Sequence, residues 1–270
     1  MKTRKRVEAL SDFLPQIRKD MIRAAHAAGR VLMRYYSMSL NVREKKGAGL
    51  VTEADLAAEK SVMNILAKAR PDFLFLSEET NPHGQPGFSR GRWVIDPLDG
   101  TTNFVHRFPM FCVSIGAEWD GQIVAGVIYH PVLKDLYVAT LGGGAFLNGK
   151  RMQVSTTEKL RNSLLTTGFS YRKQEWLHAE MTSFERLSRT ARAIRRPGSA
   201  ALDLAYTARG VFDGFWESKL SPWDVAAGGL LVREAGGQVT NFKGVPFHIE
   251  QQNILATNGL LHEELRGIVK

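Results

Sequence analysis

Apolar residues recur at Leu10, Leu14, Ile17, Met21, Ala24, Ala28, Val31 and Tyr35, three or four positions apart. That spacing lays them along one stripe of a 3.6-residue repeat and predicts a long amphipathic helix over about residues 7–36. Gly47-Ala48-Gly49 breaks the pattern; Thr52 or Asp55 then starts a second helix running toward Lys68, which Pro71 ends. Phe73–Leu76 and Arg92–Ile95 read as short buried strands. From Phe111 to Ala139 the pattern turns to β, with two apolar runs joined by the hairpin signal Asp120-Gly121. A further strand enters the turn at Gly142–Gly144, and Asn148-Gly149 marks another hairpin.

The second half alternates. Strands are expected near Leu164–Thr167, Ala193–Arg196, Phe212–Glu217, Gln238–Asn241 and Asn253–Ala256. Helices are expected near Trp176–Arg189, Ala200–Ala208, Val225–Glu234 and Leu260–Ile268. Helices and strands in mixed order, with sizeable antiparallel parts, indicate an α+β architecture built in layers. The sequence carries no internal repeat, low-complexity tract or flexible linker. A single domain over 1–270 is therefore expected, made of two packed halves, roughly 1–150 and 151–270.

Composition narrows the class. A chain of 270 residues can bury a substantial core, and 44% hydrophobic with 23% charged residues excludes disordered and collagen-like readings. No run approaches the ~18 apolar residues a membrane helix needs. The N-terminal MKTRKRVEALSDFLPQ is basic but has no apolar core, so no secretory signal is read there. Cys112 is the sole cysteine, which excludes an internal disulfide or a multi-cysteine zinc site and fits a reducing cytoplasm. The net charge of +9 crowds into Lys2–Arg6, Arg43–Lys46, Arg172–Lys173 and Arg186–Arg196, without the interleaved aromatics of an RNA-reading sheet. These runs read as solvated helix faces and loops, with an accessory nucleic-acid or transcription-complex role as the alternative.

Chemistry concentrates in Trp93-Val94-Ile95-Asp96-Pro97-Leu98-Asp99-Gly100-Thr101-Thr102-Asn103. Asp96 and Asp99 flank Pro97 and Leu98 just past an apolar run, so a fixed turn can bring both carboxylates to one point. Gly100 lets backbone approach a ligand, and Thr101 and Thr102 can cap a helix whose free N–H groups face an anion. Hard carboxylate oxygens beside such a helix start describe a Mg²⁺-plus-phosphate site. Four more segments place acids at strand ends or helix starts: Asp55, Glu78-Glu79, Glu217, and Asp224 after Ser221-Pro222-Trp223. Singly, each has a plain reading as a cap or solvated turn residue. Strand ends and helix starts are also where an α/β fold gathers ligands.

Together these segments resemble the inositol monophosphatase family, within the Mg²⁺-dependent, lithium-sensitive phosphatase superfamily. The resemblance rests on Asp96-Pro97-Leu98-Asp99-Gly100-Thr101-Thr102-Asn103-Phe104 and on Trp223-Asp224-Val225-Ala226-Ala227-Gly228 with Glu234-Ala235-Gly236-Gly237. The Glu78-Glu79 turn, the Val-Thr-x-x-Asp segment ending at Asp55, and bacterial-type Gly198-Ser199-Ala200-Ala201-Leu202-Asp203-Leu204-Ala205-Tyr206 match as well. It implies a layered αβαβα sandwich and two or three Mg²⁺ ions. Glu78, Asp96, Asp99, Asp224 and the Leu98 carbonyl are the implied metal ligands, Asp96 bridging two ions. Asp55 and Thr101, with Glu78, are the implied catalytic residues activating water. Gly100, Thr101 and Thr102 are expected to receive the phosphate. Leu98, Asp99, Gly198, Ser199, Ala200, Glu217 and Asp224 are expected to complete the substrate site.

The resemblance further implies a homodimer and a small phosphorylated polyol or sugar as substrate. Inositol-1-phosphate leads; fructose-1,6-bisphosphate, histidinol phosphate and adenosine 3′,5′-bisphosphate are rivals. Family members often carry a loop lysine upstream of the Asp55 motif, and Lys45 and Lys46 both stand there. Gly144–Lys150 has phosphate-loop spacing, but Arg151 occupies the Ser/Thr position, so it reads as a turn. No Gly-x-Ser-x-Gly or His-Glu-x-x-His pattern occurs. His106 reads as structural or rim, Trp93 and Trp223 as walls of the site, and Cys112 as core.

Overall fold

The structure, a computed structural model, describes residues 2–38, 42–44, 50–169 and 177–269. The Gly47–Gly49 break, Lys45, Lys46, Arg172, Lys173 and Trp176 lie outside the described residues. The chain opens with helix α1 (Lys2–Tyr36), which starts before the apolar stripe because Lys2–Leu10 is rich in strong helix formers. A small hairpin of β1 (Val42–Glu44) and β2 (Leu50–Thr52) follows, too short for periodicity to reveal. Next come α2 (Glu53–Ala69), β3 (Leu74–Ser77), β4 (Gly91–Asp99) and a single-turn α3 (Thr101–Val105). The β meander is β5 (Cys112–Trp119), β6 (Gln122–His130), β7 (Asp135–Thr140), β8 (Gly144–Leu147) and β9 (Lys150–Arg151). Asp120-Gly121 and Asn148-Gly149 form its expected tight turns, all four residues at positive φ. The Gly144–Lys150 segment is thus a hairpin.

The remainder comprises β10 (Leu164–Thr167), α4 (Leu177–Thr190), β11 (Ala193–Arg195), α5 (Ala200–Ala208) and β12 (Gly214–Ser218). It closes with α6 (Pro222–Glu234), β13 (Gln238–Thr240), β14 (Asn253–Thr257) and a short α7 (His262–Arg266). The last helix covers less than the expected Leu260–Ile268, and the Phe212 strand begins only at Gly214.

Besides the β1–β2 pair, two large sheets and three helical layers result. A seven-stranded sheet runs β3-β4-β5-β6-β7-β8-β9, parallel only between β3 and β4. A five-stranded sheet runs β11-β10-β12-β14-β13, with β10 parallel to both neighbours. Helices α1 and α2 cover the outer face of the first sheet, α5 and α6 lie between the sheets, and α4 and α7 cover the second. This is the layered αβαβα order. The middle layer is tight: a Cβ at Gly126 would lie 2.9 Å from the Ala227 Cα, and one at Gly228 would lie 2.5 Å from Leu204. Ala226-Ala227-Gly228 therefore lets the α6 backbone sit directly on the sheet at Gly126 and against the Leu204 side chain of α5. No helix is long and apolar enough to cross a membrane among the described residues.

Candidate active site

β4 ends in an irregularity that builds the centre. Asp96 pairs with Ser114 and Asp99 with Cys112, so three steps on β4 face two on β5. In a regular strand residues three apart point to opposite faces; the extra residue at Pro97-Leu98 restores one face to both aspartates. The Leu98 N–H donates to Asp96 Oδ1 at 2.9 Å and fixes that turn. Asp224 arrives from the other half, on the first turn of α6. One oxygen from each of Asp96, Asp99 and Asp224 lies within 4.8 Å of the others.

Helix starts hold these acids in place. Asp224 Oδ2 accepts the Ser221 N–H at 2.7 Å, the reach-back bond of a capping box. Asp55 does the same on α2, its Oδ2 accepting from the Thr52 N–H at 2.8 Å and the Thr52 hydroxyl at 2.6 Å. Thr52 and Ser221 are the N-caps, and both aspartates stand three residues inside. Asp99 Oδ2 accepts from Ser199 Oγ at 2.6 Å and from the Ala201 N–H at 2.8 Å, so it caps α5 from another element.

Thr101 is not the cap of α3. Gly100 takes that position at φ 94°, where a Cβ would also lie 2.8 Å from the Met110 carbonyl. The Thr101 hydroxyl is thereby turned to two acceptors, Asp55 Oδ1 at 3.0 Å and the Leu98 carbonyl at 3.1 Å. Thr102 follows in the same turn.

Glu78 stands just past β3, tied by its N–H to the Ile95 carbonyl at 3.2 Å. It lies outside the three-carboxylate group, yet its charge reaches all three. Burial chiefly, then the neighbouring carboxylates, raise Asp96 and Asp224 well above the ordinary range. Asp99 is pushed up to about 6 by burial, with the Ser199 and Ala201 donors opposing the shift and Glu78 adding to it. Hard oxygen donors that repel one another suit a divalent cation of the Mg²⁺ kind, whose charge removes the repulsion.

Gly198, Ser199 and Ala200 lie at the start of α5, and Gly198 needs its left-handed φ of 86°. Glu217, at the end of β12, is raised to about 8 by burial; Arg196 opposes the shift, while Asp99 and Glu180 add to it. Its carboxylate oxygens come within 2.2 Å of where a Cβ on Gly168 would be.

Several contributors escaped the sequence reading. Asn103 Nδ2 donates to the Met110 and Pro197 carbonyls at 2.7 and 2.8 Å, tying α3 to the Gly198 loop. Asp203 is 1% exposed with Oδ1 unpartnered, its pKa raised by burial and by Glu217. Glu59 is buried one turn beyond Asp55. Both are acids on largely apolar buried helix faces, which was the available signal.

Trp93 corrects an expectation: it packs on Phe73 at 4.8 Å, in the core under α1 and α2, behind the sheet. Trp223 packs against the middle core. His106 is exposed at the end of α3, and Cys112 is buried with Sγ 3.9 Å from Asp99 Oδ2.

The profile of the "Inositol monophosphatase family" matches residues 14–270. An inositol-1-monophosphatase of Mesorhizobium japonicum is 43% identical over 93% of this chain and 94% of that protein. The Nus factor SuhB of Pseudomonas aeruginosa is 42% identical over 88% of this chain and 89% of its own length. The crystal structure of extragenic suppressor protein suhB from Bartonella henselae superposes with a TM-score of 0.90 at 43% identity, covering 94% of this chain and 98% of that one. The chain belongs to the inositol monophosphatase family, phosphoric monoester hydrolases of layered α+β fold.

Proposed function

We propose that the chain hydrolyses a small phosphorylated polyol, inositol-1-phosphate first, to the free polyol and phosphate. The observation that carries this is the meeting of Asp96 and Asp99 from one half with Asp224 from the other, beside the Asp55–Thr101 pair. Asp96, Asp99, Asp224, Glu78 and the Leu98 carbonyl would hold two or three Mg²⁺ ions. Bound there, Mg²⁺ supplies Lewis acidity toward the phosphoryl and water oxygens.

The protein's own groups do the rest. With Thr52 occupying Asp55 Oδ2, Oδ1 is left aimed at Thr101. The Thr101 hydroxyl donates its proton there and turns a lone pair outward to the attacking water. As water attacks phosphorus, Thr101 takes the water proton while passing its own to Asp55. The N–H groups of Gly100, Thr101 and Thr102, at the open end of α3, receive phosphoryl oxygens. Gly198, Ser199, Ala200 and Glu217 face the polyol ring, with Glu217 and Asp224 accepting ring hydroxyls. Because Asp99 is capped by Ser199 and Ala201, the two halves of the chain act as one catalytic unit. Separately, from the family resemblance, we read the protein as a cytoplasmic homodimer.

The test is phosphate release from inositol-1-phosphate, fructose-1,6-bisphosphate, histidinol phosphate and adenosine 3′,5′-bisphosphate, each with Mg²⁺ and with chelator. Mg²⁺-dependent turnover led by inositol-1-phosphate and lost in Asp99→Asn supports the reading. Turnover led by another ester keeps the chemistry and changes the substrate, and no turnover on any overturns it.

A second reading, a transcription-complex or RNA-binding role, is favoured by the relatives named Nus factor SuhB. The exposed Arg186, Arg189, Arg192, Arg195 and Arg196 fit such a surface. Rescue of a gene deletion by Asp99→Asn would make binding the main task; failure to rescue would make it catalysis.

A further inference from the structure

The two buried acids of α2 stand four residues apart, Asp55 at 0% and Glu59 at 1% exposure, and so lie on one helix face. Asp55 serves the Thr101 hydroxyl. Glu59 sits among Ala58, Val62 and Leu66 on a face that is apolar apart from Asp55. An isolated carboxylate there would cost several kcal/mol unless its oxygens were bonded. They are bonded, and all the donors come from one place. The Glu79 N–H donates to Oε2 at 3.0 Å, the Thr80 N–H donates to Oε1 at 3.0 Å, and the Thr80 hydroxyl donates to Oε1 as well.

That place is the turn bearing Glu78. On its other side the turn is tied to β4, the Glu78 N–H donating to Ile95, the residue before Asp96. Ser77 and Asn81 close it with mutual backbone bonds at 3.2 and 3.3 Å. Glu78 is thus carried between the strand of Asp96 and the helix of Asp55, and Glu59 takes three of the helix-side bonds, beside a longer contact of the Thr80 hydroxyl with Met63 Sδ at 3.7 Å. Nothing else in the Asp55 function requires a second buried acid on α2.

We propose that Glu59 is a positioning residue for Mg²⁺ binding: it holds the Glu78 turn against α2, fixing Glu78 relative to Asp55 and to the three-aspartate centre. This rests on the proposed reading of Glu78 as a metal ligand. Hydrogen-bond partners of ligands commonly tune metal affinity by 10- to 100-fold. Glu59→Gln keeps the shape but turns an amide NH₂ toward backbone donors, which loosens the turn without removing any ligand.

The experiment is a calorimetric titration of Mg²⁺ into the full chain, paired with kinetics over a Mg²⁺ series. Glu59→Gln is expected to raise the half-saturating Mg²⁺ concentration by about 10- to 100-fold. Its kcat should recover at saturating Mg²⁺, with KM for the ester unchanged. Val62→Ala, which leaves a cavity one turn further along the same face, is expected to lower the melting temperature and leave the Mg²⁺ curve in place. A folded Glu59→Gln chain with the wild-type Mg²⁺ curve overturns the proposal, whatever its melting temperature. If Glu59→Gln does not fold, Thr80→Val decides, since it deletes one donor to Glu59: a rise of about two- to fivefold supports the proposal and no rise overturns it. Wild-type chain that binds no Mg²⁺ overturns this proposal and the metal-dependent reading together. Wild-type binding with both variants unchanged overturns this one alone.

Discussion

Ser199 Oγ donates to Asp99 Oδ2 at 2.6 Å, joining the end of β4 to the first turn of α5. The same hydroxyl accepts the Leu202 N–H at 3.4 Å, so one side chain caps a helix and orients an acid of the site. Ser199→Ala should cost about 1 kcal/mol through the lost cap, or roughly 2–4 °C in melting temperature for a chain this size. It also removes a donor that favours ionised Asp99, so more Mg²⁺ should be needed for half-maximal activity. Differential scanning calorimetry and a Mg²⁺ series check both, and a variant unchanged in each would remove Ser199 from the account.

Thr101 stands between Asp55 and the Leu98 carbonyl with one proton to give. Thr101→Val keeps the shape and deletes the relay, so kcat should fall by about 10²-fold or more while KM for the ester changes little. Thr101→Ser keeps the hydroxyl and should retain most of the rate. Equal losses in Val and Ser variants would mean that the methyl packing matters and the proton path does not.

Asp99 is held at about 6 by burial, above the 3.8 of an exposed aspartate. In metal-free protein this raised value favours the protonated folded state, so stability should decline as pH rises from about 3.8 through 6. Mg²⁺ should reverse that decline. Binding must also displace the proton, so below pH 6 the half-saturating Mg²⁺ concentration should climb about tenfold per pH unit for each proton released. Calorimetric titrations at pH 5, 6 and 7 in buffers of different ionisation enthalpy measure that proton release directly.

Much of this was legible in the sequence because chemistry and punctuation coincide. Asp-Pro-x-Asp-Gly announced a turn bearing two acids, and Asp120-Gly121 and Asn148-Gly149 announced their hairpins. The strand at Leu164–Thr167 and the helix at Ala200–Ala208 were bounded correctly because clear polar or small residues flank each apolar run. What stayed hidden was geometry that spacing cannot encode. The irregularity between Asp96 and Asp99 depends on pairing with β5, and the cap on α3 passes to Gly100 because only glycine fits against Met110. Trp93 went to the far face of the sheet because strand parity decides its side, and sequence proximity to Asp96 misled. Glu59 and Asn103 act through tertiary bonds to segments tens of residues away.

Gly168 lies at the end of β10 against the Glu217 carboxylate. A methyl there would overlap both carboxylate oxygens, and since these sit at the end of a flexible side chain, the side chain will swing aside. Gly168→Ala should therefore raise KM for inositol-1-phosphate with a smaller change in kcat, and should narrow the preference between inositol and other polyol esters. Kinetics on the ester panel with Gly168→Ala and Glu217→Gln compares the two. Opposite substrate profiles would separate Gly168 from the position of Glu217.

His262 is buried between two threonines of the second sheet. Thr240 Oγ1 donates to the Asn241 carbonyl at 2.7 Å, so its 2.9 Å contact with His262 Nε2 must be one it accepts. The imidazole therefore carries its proton on Nε2. Nδ1 is left to accept from the Thr257 hydroxyl at 2.9 Å, while that oxygen takes the Gly259 N–H at 3.1 Å. A second proton on Nδ1 would meet the Thr257 hydroxyl proton head-on. Burial lowers the His262 pKa below 6.5, with Arg266 adding to the shift and Glu263 opposing it; buried His130 is lowered too. A lowered folded pKa means the unfolded chain binds protons first. This contribution to stability is complete above about pH 6.5 and is lost as pH falls toward the folded value. Saturating Mg²⁺ silences its own ligands, but Glu217 and Asp203 still add stability as pH falls, so the His262 share is read as the difference between wild type and His262→Gln, both melted in Mg²⁺. His262→Gln should be less stable at pH 7.5, and the gap should narrow by pH 5.5. Equal slopes in the two proteins would shift the acid sensitivity to His130 and leave His262 as packing alone.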